Sequence, residues 1–292
     1  MNIPTKAGLQ LETVTGTLYI VPTPIGNLED MTVRAVRVLK SVSCILAEDT
    51  RLSGILCRHY DIATRRMSLT EHNSPMRIPW ILQQLRDGSS IALVSDAGCP
   101  GISDPGGPLI REVVLASLPL TVLPGPSAVT TALLGSGFLI DRFVFEGFLP
   151  RKGRVRSAMI QAFHSEERTI LLFESPVRLC ATLKDLAAVL GPGRRAVVAR
   201  ELTKIHESWH RGSLGDLAVF FEEFPPRGEM VIVIEGADVV KPTLDAASVA
   251  DQITVALKSG MKVKETARLV AAQTGLPASQ IYQLALRLKS SL

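Results

Sequence analysis

The stretch "VSDAGCPGISDPG", residues 94–106, places Asp96 and Asp104 on a bend rich in Gly and Pro, directly after the apolar run "IALVS". Backbone groups of such turns can hold a ligand directly, and a carboxylate there can meet a positive charge. A phosphate-loop Lys is missing, and "PTPIGNL" after the first apolar run has one Gly instead of the G-x-G-x-x-G of a dinucleotide fold. These features suit a compact cationic cofactor better than a polyphosphate. Three further runs end the same way, in "PTPIGNLED", "EDTR" and "PGPSA". Turn chemistry explains any one of them; four on one rim favour a binding site.

The elements that must present these loops are short β-branched runs. "TLYIV" (17–21), "CILAE" (44–48), "IALVS" (91–95) and "LTVLP" (120–124) read as buried strands, alternating with helical patterns such as "TVRAVRVLKSV" and "IPWILQQLRDG". That order predicts a parallel sheet flanked by helices, with ligands bound beyond the carboxyl ends of its strands. A second group, "RFVFEGF", "TILLFES", "RAVVARELT", "ESWHRGSL" and "GEMVIVIEG", crowds strands together around helical patterns at 176–190 and 213–223. It predicts a mixed sheet. The resulting division is a flexible tail over 1–15, an α/β domain over 16–128, a second α/β domain over 129–238 and a helical region over 239–292. The last two helical patterns of that region resemble a helix-turn-helix.

Composition narrows the class. The chain has 292 residues, 46% hydrophobic and 21% charged, enough for a sizeable core and about two domains. Cys44, Cys57, Cys99 and Cys180 form no C-x-x-C pair and no ligand-spaced cluster with His, so a reducing cytoplasm is expected and a metal site is not. Residues 113–140 carry no formal charge, but Pro119, Pro124, Pro126, Gly125, Gly135 and Gly137 interrupt them; a strand, a turn and a helix are expected, not a membrane span. Basic residues cluster in "RKGRVR" (151–156) and at Lys258, Lys262, Lys264, Arg268, Arg287 and Lys289. Two such regions make a polyanion such as nucleic acid a candidate partner.

Taken together, "LYIVPTPIGNLEDMTVRAVRVLK", "AEDTR", "EHN", "VSDAGCPGISDPG", "PGPSA", "FEGFLPRKG", "ESPVR", "ARELTKIHE" and "GEMVIVIEG" resemble the ribosomal RNA small subunit methyltransferase I family, within the tetrapyrrole-methylase-like superfamily. The resemblance runs in order from about residue 15 to the C-terminus. Cys99 stands where the family usually has Thr, and Thr70 precedes "EHN" where His is common. The resemblance implies a two-domain α/β class III methyltransferase that carries the methyl group of S-adenosylmethionine to a cytidine ribose 2′-oxygen in the decoding centre of 16S rRNA. It implies a cytoplasmic homodimer acting on the small ribosomal subunit. The cofactor cleft would be lined by Pro24, Ile25, Gly26, Asp96, Gly98, Cys99, Ser127, Ala128, Phe173, Leu202 and Met230.

A ribose hydroxyl is a weak acid, so some group must take its proton or stabilise the oxyanion. Glu48, Asp49 and Arg51 in "AEDTR" and Glu201 and Lys204 in "RELTK" are the candidates, because both motifs put charge at a strand end facing the cleft. An ion pair that clips a loop is the competing reading of each. Two other functions share features with this one. A tetrapyrrole or other small-molecule methyltransferase would not need the basic segments, and a catalytically silent ribosome assembly factor would not need the glycine and acid loops.

Overall fold

The structure is a computed structural model that describes residues 15–238, 246–274 and 276–289. Residues 1–14 of the expected tail and residues 239–245, where the helical region was expected to begin, lie outside them. The chain divides into two compact units between Ala237 and Asp238.

The first unit opens with β1 (Leu18–Val21), α1 (Val33–Ser41), β2 (Cys44–Ala47), α2 (Thr50–His59), β3 (Arg66–Ser68), α3 (Ser74–Arg86), β4 (Ile91–Val94), α4 (Gly107–Leu115) and β5 (Leu120–Val122). All five strands are parallel, in the order β3-β2-β4-β1-β5. β2 and β4 are buried at every residue, as continuous apolar runs inside a two-faced sheet must be. Their side chains enter separate cores on the two faces: Ile45, Ala92 and Val94 pack with α1 and α2, and Leu46, Ile91 and Leu93 pack with α3 and α4. β5 differs from the expected buried strand. It is an edge, and Val122 is 62% exposed.

The chain then passes through α5 (Ala128–Ser136) into β6 (Phe143–Phe148), α6 (Arg154–Ala162), β7 (Thr169–Glu174), α7 (Pro176–Leu190), β8 (Arg195–Arg200), β9 (Ser208–Ser213), α8 (Leu214–Glu223) and β10 (Met230–Ile234). The sheet order is β6-β7-β10-β8-β9, with β6 and β7 parallel and the other pairings antiparallel. One face is covered by α6, α7 and α8. The other carries Leu171, Val197, Ala199, Val231 and Val233, which pack with α5 and with Ile25 from the loop after β1. That shared core joins the two sheets into one unit.

The second unit comprises α9 (Ala246–Lys258), α10 (Val263–Thr274) and α11 (Ala278–Lys289) around Val249, Ile253, Ala267, Val270, Ile281 and Ala285. Lys258, Lys262, Lys264, Arg268, Arg287 and Lys289 are exposed. No described helix is long and apolar enough to cross a membrane.

Candidate active site

A cavity of about 400 Å³ lies between the two sheets of the first unit. Register explains its walls. β4 delivers Asp96–Cys99 from its carboxyl end, and the N-terminus of α5 delivers Ser127 and Ala128. β10 runs antiparallel to β7 with Met230 opposite Glu174, so the start of β10 and the end of β7 meet at one rim. Ile25, Asp96, Gly98, Cys99, Ser127, Ala128, Phe173 and Met230 all line the cavity. Pro24, Gly26 and Leu202 stand beside it and are not part of the lining. Gly26 has no room for a side chain, since a Cβ there would lie 2.4 Å from Lys204 Cγ and 2.9 Å from the Leu202 carbonyl oxygen. The loop after β1 is thus pressed against "RELTK".

Backbone bonds hold the β4 loop open. Thr23 N donates to the Gly98 carbonyl at 2.9 Å and Gly98 N to the Thr23 carbonyl at 3.0 Å, while the Ser95 hydroxyl donates to the Gly98 carbonyl at 2.7 Å. Gly98 has φ +75°, a left-handed conformation that brings backbone to the cavity wall with no Cβ in the way. The Cys99 thiol points at the Pro126 carbonyl, 3.4 Å away, and burial raises its pKa.

The charged candidates fall into two groups. Asp49 caps α2, accepting from Arg51 N at 2.7 Å, and its carboxylate is also gripped by the Arg51 guanidinium, with Nη2–Oδ2 at 2.6 Å. Those bonds lower its pKa to about 2. The Arg51 side chain is 90% exposed. Asp49 reaches the cavity through its backbone, since its N–H donates to Asp96 Oδ1 at 3.1 Å. Burial raises the Asp96 pKa; that N–H opposes the rise, and the charges of Glu48 and Asp49 add to it. In the second group, Lys204 Nζ bridges Glu201 Oε1 at 2.9 Å and Glu229 Oε2 at 3.1 Å. Glu201 also accepts from Glu229 N at 2.9 Å, and this bond, with the one from Lys204, lowers its pKa. Of these three, Glu229 lines the cavity.

Sequence reasoning missed Asp104, Glu174, Ser175 and Glu229 in the lining. Asp104 lies inside the quoted glycine-rich stretch, past the first acid after β4. Glu174 and Ser175 follow "TILLF", a strand end of the kind already used to choose the other loops. Glu229 precedes an antiparallel strand, so only the strand direction could have revealed it. Among the described residues, no group of three or more His, Cys, Asp or Glu could hold a metal ion.

Similarity to known proteins agrees with this geometry. The profile of the Tetrapyrrole (Corrin/Porphyrin) Methylases matches residues 17–218, and that of the RsmI C-terminal HTH domain matches residues 243–289. A protein of Synechocystis sp. named ribosomal RNA small subunit methyltransferase I is 46% identical over 276 residues, covering 94% of this chain and 99% of the relative. One of the same name from Escherichia coli O157:H7 is 42% identical, covering 93% and 95%. A uroporphyrin-III C-methyltransferase from Thermus thermophilus, solved with S-adenosyl homocysteine, superposes with a TM-score of 0.56 at 16% identity, covering 75% of this chain and 97% of that one. It shares the fold.

Proposed function

Because the chain belongs to the tetrapyrrole (corrin/porphyrin) methylase family, and within it to the ribosomal RNA small subunit methyltransferase I group, we propose that it methylates the ribose 2′-oxygen of a cytidine in the decoding centre of 16S rRNA. The methyl donor is S-adenosylmethionine, which supplies an activated methyl group on a positively charged sulfur. The residues present fit such a molecule. Ile25, Ala128, Val129 and Val231 offer an apolar wall, Gly98 brings backbone to the surface, and Asp96 supplies negative charge without an Arg or Lys partner. These groups would orient the donor and exclude water around the reacting oxygen, which is how positioning lowers the barrier of an in-line displacement.

The observation that carries the reading is this cavity on a chain whose second unit exposes basic residues on helices matching a helix-turn-helix profile. Lys and Arg contacts to phosphate suit RNA and have no counterpart in the needs of a porphyrin-like substrate. Action as a cytoplasmic homodimer belongs to the same proposal; Leu134, Leu139 and Phe143 are exposed apolar side chains that a second copy would cover. The test is to map ribose methylation on 16S rRNA from cells lacking the gene, with and without its restoration, and to compare labelled methyl transfer to 30S particles and to a tetrapyrrole precursor. Loss and recovery of one cytidine 2′-O-methyl group is expected. Transfer to the tetrapyrrole alone would overturn the proposal.

A further inference from the structure

Four carboxylates line the cavity: Asp96, Asp104, Glu174 and Glu229. Three have donors. Asp96 takes the Asp49 N–H, Glu229 takes Lys204 Nζ, and Glu174 takes the Ser175 N–H, the Thr182 hydroxyl and Arg178. Asp104 has neither an amide nor a cation. Its Oδ2 is buried with no donor in reach, and the Glu48 carboxyl beside it can bond to it only when one of the two carries a proton. The loop that presents it is constrained, with Ser103 at φ +55° immediately before Asp104. A non-glycine residue is seldom left-handed without a cause in the surroundings, and such strain gathers at functional sites. Ile102 and Phe148, 45% and 52% exposed, also line the cavity, so apolar side chains open to solvent share its lining with Asp104.

We propose that Asp104 is a catalytic residue of this chain, the base that takes the proton of the hydroxyl being methylated. The assignment rests on the ribose-methylation reading above. The O–H bond breaks toward an Asp104 oxygen while an oxygen lone pair forms the O–CH₃ bond, and the electron pair of the breaking S–CH₃ bond stays on sulfur. The proton then passes through the exposed Glu48 carboxyl to water.

Charge makes the timing favourable. Burial first, then the bond with Glu48 and the charges of Glu48 and Asp96, push the Asp104 carboxyl up to about 7. A cationic sulfur in the cavity favours the ionised form, so the base is ready before transfer. Loss of that cation during transfer makes Asp104 more basic at the moment the proton arrives. Of the other acids, Asp49 stands beside Asp96, and Glu174 and Glu229 line the same cavity; each is already bound to a cation or an N–H.

The test compares Asp104→Asn, Asp104→Glu and Glu48→Gln with the parent on 30S particles. Single-turnover methyl transfer is read against pH, and S-adenosylmethionine affinity by calorimetry. The parent rate should rise with pH and level off at or below about 7. Asp104→Asn should lose roughly 100-fold or more of that rate and the pH step, with affinity held within about threefold. Asp104→Glu should recover part of both. Glu48→Gln should move the step to lower pH, because it removes a negative neighbour. Difference infrared titration of the cofactor-free protein should show a carboxyl that ionises near 7 and vanishes in Asp104→Asn, a readout independent of activity. Full turnover by Asp104→Asn, or a folded Asp104→Asn that has chiefly lost cofactor affinity, would overturn the assignment. If the parent itself leaves 30S ribose unmethylated, the proposed function fails instead.

Discussion

Asp104 and Glu174 are carboxylates on the same cavity, and their surroundings differ in every respect that matters. Glu174, 2% exposed, sits at the end of β7 inside a network built by α7: Arg178 Nε lies 3.3 Å from Oε1, the Thr182 hydroxyl donates to Oε2 at 2.7 Å and Ser175 N donates to Oε1 at 2.8 Å. The same network reaches outward. Arg178 donates to the Leu149 carbonyl at 2.7 Å, and Arg156 joins Thr182 at 3.1 Å, Asp185 at 2.8 Å and the Pro150 carbonyl at 3.2 Å. It thereby ties the start of the basic "RKGR" segment to α6 and α7. Asp104 has no such donors, and the charges acting on it are those of Glu48 and Asp96. A saturated carboxylate holds structure together. An unsatisfied one at the same cavity costs stability and keeps its lone pairs for a substrate.

The sharpest way to break this contrast is to delete each carboxylate and look for opposite signs. Glu174→Ala strands Arg178 and Thr182 around a buried gap, and removing one partner of a buried pair costs about 3 kcal/mol or more. Urea unfolding should show a loss of that order at neutral pH, and a change below about 1 kcal/mol would show that Glu174 is not structural. Asp104→Asn should do the reverse. Its folded carboxyl lies at about 7 against an ordinary 3.8, so below 4 both folded and unfolded chains hold the proton and no penalty exists. Between about 4 and 7 the unfolded chain has released its proton while the folded chain still holds it, so stability falls across that window and levels off above 7. Allowing for solvent screening of a half-buried side chain, Asp104→Asn should stabilise the protein by about 1–2 kcal/mol at pH 8 and by almost nothing at pH 4. Melting curves at the two pH values decide it.

The contrast also shows which facts a sequence can carry. Continuous runs such as "IALV" announce buried parallel strands because their burial follows from residue type alone, and the loops beyond them follow from topology. Whether an acid in such a loop is paired depends on distant partners. Glu48 meets Asp104, Thr182 meets Glu174, and Lys204 reaches Glu229. No spacing rule brings these together, so the sequence places Asp96 and Asp104 on one bend without separating the paired acid from the unpaired one. β5 departs from the expected buried strand for a related reason: "LTV" is apolar enough for a core strand, and only the sheet order places it at an edge.

Asp96 is intermediate between the two extremes, with one donor, Asp49 N–H, and no cation. It lines the cavity through the loop whose Gly98 carbonyl is tied to Thr23 and Ser95, so its position is set by backbone bonds that an alanine retains. Asp96→Ala should therefore leave the fold intact and weaken S-adenosylmethionine binding about tenfold, or about 1.4 kcal/mol. Calorimetry on the folded variant showing unchanged affinity would remove Asp96 from the binding role and leave Asp104 as the one acid of this loop with a function.

Lys204 is expected to give the smallest effect, and it tests the comparison from the opposite side. Its ammonium joins Glu201, at the end of β8, to Glu229, at the start of β10, and Glu201 and Thr203 both have positive φ, at 53° and 65°. The ion pairs hold a strained turn in place, which places Lys204 with Glu174 among the groups that build the wall. Lys204 is 30% exposed and Glu229 72% exposed, so that pair is screened and contributes about 0.5–1 kcal/mol, while Glu201, 16% exposed, keeps its bond from Glu229 N when the ammonium is lost. Lys204→Ala should thus lower stability slightly and loosen the Glu229–Met230 rim, weakening cofactor affinity about threefold. The single-turnover rate at saturating cofactor should stay within about twofold of the parent. A rate loss of tenfold or more with affinity unchanged would move Lys204 from the wall to the chemistry. It would then share the proton step with Asp104, and the division between paired and unpaired charges would no longer separate structure from catalysis.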